Sequence, residues 1–399
     1  MNTETKILNK KNSLTGLKHQ NQRAILQLLQ KKNLSYADLS ALLPLSYTGI
    51  INVAEEMITK GLLEKKDPET ETPTKGRPSH MIGLNAGRGC VAVVNFCGKD
   101  LLRIYDLAGN QILEEDLEYD YVTDDVIAYL VGKLRQIVQT KLPSPLYAIS
   151  VIAAGYIDKY SGRFAFAPHF EHYKDLDLKG LLGEFCGGEV EVKNIMYYRI
   201  LAERELGANP ITNALLIDDF GSALCLDGKI YEGENGYAGE LGSLSTDYFM
   251  EANEYTAEEY REDAGRLCSS TRIVRVVKER LLRGEESLLQ GSEDPDIDKI
   301  LEAYRQGDRL VCEVMSANAR LFACTIKNIV GYLDLNTVIF GTGRSRFGED
   351  YRAQVEAFLK KRGRPVTVCM SSFPDNSEAL GACKDAIGRA YDKILHEMR

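Results

Sequence analysis

The sequence predicts an N-terminal winged helix-turn-helix domain followed by a two-lobed α/β body. Three observations predict it. At 399 residues the chain exceeds one typical domain. Its first 84 residues hold short amphipathic helices and then two apolar runs around a polar tip. The remainder runs through a strand-rich stretch into helices and strands, and then repeats that order. The expected boundaries are 1–84, 85–205 and 206–399, with the last helix able to return to the first lobe.

"NQRAILQLLQKKN" (21–33) spaces Ala24, Ile25, Leu28 and Leu29 along one helix face. Ser35 can cap "YADLSALL", which stops at Pro44. Ser46 can cap "YTGIINVAEEMITK", which Gly61 closes. The buried face of this third helix is expected at Ile50, Val53, Ala54, Met57 and Ile58. Two short helices joined by a tight turn form a helix-turn-helix. Its second helix aims its first turns at the major groove of DNA. Those turns carry Ser46, Tyr47, Thr48 and Asn52. Thr48 and Asn52 can bond base edges or phosphates, and Gly49 allows close approach.

"LLEKK", "DPETETPTKGRPS" and "HMIGL" then read as a two-stranded wing. In "TKGRPS", Arg77 held by Pro78 can enter a narrow minor groove; a solvated linker is the plainer reading. Of the 49 Lys+Arg, 12 lie in residues 1–84, with 8 of the 58 Asp+Glu, so a basic head precedes an acidic body. Such a chain docks nucleic acid through the head alone. A generic three-helix bundle is the competing reading of these helices.

In the body, "CVAVVNFCGKDLLRIYDLAGNQILEEDLEY" alternates as a hairpin or meander, and "DDVIAYLVGKLRQIVQTKL" is a helix. "LYAISVIAAGYID" is a strand ending in a turn, followed by a short helix, a strand and a longer helix through "GLLGEFCGGEVEVKNIMYYRILAEREL". "NALLIDDFGSALCLDGKIY" is strand, turn, strand; helices are expected over 256–284 and 295–331. "LDLNTVIFGTG" is a buried strand opening onto glycine, then a helix, the strand "PVTVCM" and a last helix. No run of 18 apolar residues occurs, so no membrane span is expected. The N-terminus lacks the apolar stretch of a signal peptide. The nine cysteines stand singly without a CxxC, which fits reduced thiols and a cytoplasmic setting.

"GYAGELGSL" (236–244) sets one carboxylate, Glu240, among three glycines. "DGKIYEGENGYAGELGSL" resembles the signature of the ROK family of repressors and sugar kinases, around its sugar-contacting Glu. "GRPS" after a winged helix-turn-helix resembles the family's repressor branch. "LDLNTVIFGTG" and "SEALGAC" resemble its C-terminal lobe. The resemblance implies the actin-like ATPase (ribonuclease H-like) fold, with sugar bound between lobes.

Departures from the family pattern bear on chemistry. "VNFCGKD" (94–100) lacks the first phosphate loop. "IDDFGSA" (217–223) keeps only Gly221 of the second, and Asp218 with Asp219 would repel a triphosphate. In "KNIMYY", Asn194 matches the family Asn, but Ile195 stands where the catalytic Asp belongs. Phosphoryl transfer needs that carboxylate to take a proton and orient the attack. Ser243 replaces the zinc-linked His and Cys268 stands alone, so no zinc site is expected. No cofactor is expected either.

What the resemblance implies for binding is a set of mixed donors and acceptors: Glu240, Asn194, Gly155 of "AAGYID", His169 of "APHF", and Ser243. Asn194 reads equally as a structural strand-end residue. Tyr197 and Tyr198 could stack on a sugar or fill the emptied nucleotide side. The reading is a sugar-responsive repressor with a catalytically dead kinase-like body. Its expected partners are operator DNA, a sugar or sugar-phosphate effector, and a second copy in a homodimer or tetramer. The alternatives are a ligand-independent dimeric regulator and an active kinase.

Overall fold

A computed structural model describes residues 14–67, 81–97, 101–118, 125–166, 176–208, 210–219, 221–244, 268–291, 294–360, 365–373 and 375–397. In the head, helix α1 (Leu14–Leu29) begins and ends earlier than the predicted 21–33. It stops because Leu34–Ser35 leave the helix to form strand β1, paired with Met81 and Ile82. Ser35 caps α2 (Tyr36–Leu42) through a capping box with Asp38. Ser46 Oγ accepts the Gly49 amide at 3.1 Å to start α3 (Tyr47–Thr59). Gly61, at φ +73°, ends that helix.

Ile50, Ala54 and Met57 form the buried line of α3. Val53 and Ile58, expected on the same face, flank that line and are half-buried. Strands β2 (Leu63–Lys66) and β3 (Met81–Leu84) pair antiparallel, Leu63 opposite Leu84. β1 joins on the other side of β3, giving the wing a third strand that the sequence reading lacked.

The body contains two five-stranded sheets with one strand order. The first uses β4 (Cys90–Asn95), β5 (Leu101–Asp106), β6 (Gln111–Asp116), β7 (Leu146–Ala153) and, beyond the short hairpin β8 (Tyr156–Ile157) and β9 (Phe164–Phe166), β10 (Val190–Asn194). Its order is β10-β7-β4-β5-β6. The second uses β11 (Ala214–Asp218), β12 (Gly221–Leu226), β13 (Lys229–Tyr231), β14 (Thr337–Phe340) and β15 (Thr367–Met370), in the order β13-β12-β11-β14-β15. Each thus sets an antiparallel meander beside two later strands. In the second sheet those two pair parallel.

The helices are α4 (Val126–Thr140), α5 (Leu178–Cys186), α6 (Ile195–Leu206), α7 (Ser270–Leu282), α8 (Ile297–Arg305), α9 (Arg309–Tyr332), α10 (Thr342–Ser345), α11 (Gly348–Lys360) and α12 (Ser377–Glu397). The helix expected over 295–331 is two. Gly307, at φ +78°, ends α8, and Asp308 Oδ1 accepts the Val311 amide to start α9. Of the helix expected over 256–284, residues 256–267 lie outside the described residues, and α7 covers the rest.

The chain divides into two compact units. The first comprises Met1–Val151, Asp177–Val192 and Cys383–Arg399. All residues of β4 are buried, as are those of β7. α12 is tied here by Arg389, which donates to the carbonyls of Ile149 and Glu189. Tyr391 Oη donates to Leu107 O at 2.6 Å, and Asp392 receives Arg23 of α1 at 2.9 Å.

The second unit comprises Ile152–Leu176 and Lys193–Ala382. Its core centres on α9, α11 and β14. Phe322, Phe340 and Tyr351 meet edge to face or tilted, and Tyr351 Oη donates to buried Asn318 Oδ1 at 2.7 Å.

Candidate functional site

The second unit carries two neighbouring cavities. The first is bordered by Glu240, Asn194, Tyr197, Lys193 and Glu232, with Gly236 and Gly221 at its backbone walls. It encloses about 30 Å³, room for a water or two. Local sequence explains how Glu240 comes to face it. Gly239 lies against β12, where its carbonyl accepts Ser222 N at 3.1 Å and Ser222 Oγ at 2.6 Å. A Cβ at Gly239 would overlap the Ser222 carbonyl, and its φ of +97° suits glycine alone. Gly236 shares that φ, and a Cβ there would stand 2.6 Å from Ile157 O. The chain therefore turns sharply twice just before Glu240, which leads into a short 3-10 turn, Leu241–Ser243. Its carboxylate is half-buried with no partner among the described residues. Burial pushes that carboxyl up to about 7.

Asn194 borders the same cavity with both polar ends engaged. Its Oδ1 accepts the Met196 amide at 2.8 Å as the cap of α6, and its Nδ2 donates to Gly155 O at 2.8 Å. Gly155 is left-handed, at φ +97°. Asn194 thus fixes the start of α6 to the 155 turn. Ile195 is buried at the first position of α6. Tyr197 borders the cavity, whereas Tyr198 is wholly buried, so only one of the two tyrosines faces the cavity. Ser243 contributes backbone to the 3-10 turn, and its side chain is outside the description. His169 lies outside the described residues.

Two charged residues at this cavity escaped the sequence reading. Lys193 Nζ sits 2.5 Å from Glu232 Oε1 and 5.1 Å from the centre of the Tyr197 ring. Lys193 directly precedes Asn194, so its place at the site was legible. Its partner, 39 residues on, was not.

The second cavity, about 270 Å³, lies beside Asp218, Asp219, Ser270, Phe322 and Arg344. Asp218 does not project into open space. Its side chain is fully buried, paired with the Arg199 guanidinium, and accepts the amides of Asp219 at 2.8 Å and Arg344 at 3.2 Å. Burial pushes its carboxyl up, against the opposing pull of Arg199. The "GTG" turn after β14 wraps this carboxylate: a Cβ at Gly341 or Gly343 would stand 2.5 or 2.6 Å from its oxygens. Arg199 also reaches Glu378 at 3.1 Å. Arg344 lies between Phe322 and Phe347, 4.5 and 4.9 Å from their ring centres.

In the head, Ser46, Tyr47, Thr48 and Asn52 are all exposed at the start of α3, Tyr47 to 52%. Ser46 spends its hydroxyl on the helix cap. Lys65–Glu55 and Lys18–Glu56 ion pairs flank α3 at 2.7 and 2.6 Å. Arg77 lies outside the described residues.

Comparison with known proteins matches residues 101–387 to the model of the ROK family. The xylose repressor of Caldicellulosiruptor bescii is 22% identical over 393 residues, covering 92% of this chain and 95% of its own. The DNA-binding transcriptional dual regulator NagC of Escherichia coli is 25% identical over 330 residues, 78% of this chain and 77% of its own. Among solved structures, a ROK family transcriptional regulator described as a homologue of E. coli MLC superposes with a TM-score of 0.77 at 21% identity, covering 96% of this chain and 98% of that one. A ROK glucokinase from Streptomyces griseus, in complex with glucose and AMPPNP, gives 0.58 at 19% identity, covering 75% and 99%.

Proposed function

The chain belongs to the ROK family, and on that premise we propose that it is a sugar-responsive transcriptional repressor whose kinase-like body senses without reacting. The observation that carries this reading is the combination of a carboxylate, Glu240, with no partner among the described residues, at a glycine-framed cavity, with a helix-turn-helix whose second helix exposes Tyr47, Thr48 and Asn52. Glu240 accepts sugar hydroxyls, each such bond worth about 0.5–1.5 kcal/mol net. Relatives named as xylose and N-acetylglucosamine repressors support the class of effector.

Two features argue against phosphoryl transfer. Buried Ile195 occupies the position matched to the base and can neither take a proton nor orient a hydroxyl. The turn at Gly341–Arg344 and the Arg199 guanidinium are already engaged by the chain's own buried Asp218 carboxylate, so neither is free to hold a phosphate.

The reading also supplies a mechanism. The cavity at Glu240 is too small for a sugar ring, so binding parts its walls. A ligand shifts an equilibrium only by its differential affinity for two states, and this parting creates such a difference. The expected assembly is a homodimer on a palindromic operator, in the cytoplasm. The test is the double variant Thr48→Ala, Asn52→Ala. It abolishes specific operator binding in a gel-shift assay while the sugar-induced rise in melting temperature persists. Specific binding that survives refutes the recognition-helix assignment.

A further inference from the structure

Resting on the reading of the Glu240 cavity as the sugar site, we propose that the Lys193–Glu232 ion pair makes it select neutral sugars, with Glu232 as the residue that excludes the phosphate esters. The described charges bordering this cavity are one cation, Lys193, and two carboxylates, Glu232 and Glu240. The cation is already engaged. Its side chain is only 13% exposed, held by Glu232 at 2.5 Å and set against the Tyr197 ring.

A sugar phosphate brings about two negative charges at neutral pH. To gain from Lys193 it must share or break the existing pair, and it must do so beside Glu232, whose side chain is 29% exposed. Like charges in a partly desolvated wall repel strongly, and this is how a site rejects a near-isostere. A neutral sugar meets none of this. The Glu232 carboxylate keeps free lone pairs for hydroxyl donors, and the Lys193 ammonium has hydrogens beyond the one aimed at Glu232. Glu240 adds a further acceptor. The pair therefore stays intact as a donor–acceptor rail for hydroxyls.

The experiment uses the full chain as wild type, Glu232→Gln and Lys193→Gln. Titration calorimetry and thermal shift compare glucose, xylose and N-acetylglucosamine with glucose 6-phosphate, xylose 5-phosphate and N-acetylglucosamine 6-phosphate. The wild type is expected to bind at least one neutral sugar about tenfold or more tighter than its ester. Glu232→Gln frees Lys193 and is expected to shrink that ratio about tenfold, through tighter binding of the ester. Lys193→Gln is expected to weaken the neutral sugar and leave the ester unbound. An ester that binds the wild type as tightly as its parent overturns the proposal while leaving the sugar site standing. A ratio unmoved in Glu232→Gln, with the variant's own melting temperature intact, overturns it equally, as does an ester that binds Lys193→Gln better than wild type. If no sugar of either kind binds the wild type, the reading of the cavity fails, and this inference with it.

Discussion

Glu240 sits at a cavity wall where burial disfavours its charged form. Burial raises its carboxyl from 4.5 to about 7, with no cation paired to it among the described residues. The folded chain therefore holds a proton there that the unfolded chain has already lost between about pH 4.5 and 7. Stability from this group is present at low pH and falls as pH rises toward 7, the reverse of a salt-bridged acid. Glu240→Gln removes that loss. The variant is expected to match wild type near pH 4, below the unfolded value, and to exceed it near pH 8, by about 1 kcal/mol after discounting for the carboxylate's remaining solvent contact. Urea denaturation at the two pH values measures the difference. The same variant is expected to lose the sugar-induced thermal shift. A stability difference that does not change with pH would show that Glu240 is not the group titrating. At this scale the sequence was partly legible. The glycines around Glu240 marked a close approach, but the identity of what they approach, the Ser222 and Ile157 carbonyls, depends on chain far away in sequence.

Among the elements, the turn from Gly236 to Ser243 is held by backbone geometry at its glycines, by the Ser222 bonds to Gly239 O and by the stacking of Tyr237 on Tyr156. Gly239 combines a left-handed φ of +97° with a carbonyl neighbour that leaves no room for a Cβ. Gly239→Ala is expected to destabilise the second unit by about 3 kcal/mol. It should also blunt the sugar response through displaced Glu240, measured by thermal melting with and without sugar. Retention of wild-type stability would mean that the segment relaxes freely and does not preset the acid. The helix starts were readable from local chemistry, because a cap is a contact made within three residues: Ser35 to Asp38 and Ser46 to Gly49. The division of 295–331 into α8 and α9 was not read, though Gly307-Asp308 spelled it. The apolar spacing on both sides continues and masks the break. The sequence allows Asn194 a ligand or a structural role; its two bonds within the chain give it a structural share.

On the scale of the whole molecule, α1 and the greater part of α12 belong to one unit. α1 meets α12 through Arg23–Asp392, Gln30 just past its end reaches Tyr391, and Tyr391 continues to Leu107. The Arg23–Asp392 pair is about 40% exposed on each side and contributes little by itself. Tyr391 is the buried member, 5% exposed. Tyr391→Phe leaves the Leu107 carbonyl unsatisfied and is expected to cost about 1–2 kcal/mol. Hydrogen exchange should quicken in α1 more than in β11 or β14. Equal effects in both units would place the loss elsewhere.

The sequence by itself determined most of the elements, the repeat of a meander followed by later strands, the two short helices that leave Thr48 and Asn52 exposed, and the glycine frame of Glu240. Those features rest on periodicity, capping and turn chemistry, which act over a few residues and leave their marks in adjacent letters. Only the tertiary structure decided that Asp218 is consumed by Arg199 and a backbone turn over a hundred residues away. The same holds for Lys193 meeting Glu232, and for the last helix bonding to the first. Such pairings follow from which strands lie side by side, and a charge in the sequence carries no record of the partner that the sheet will bring to it.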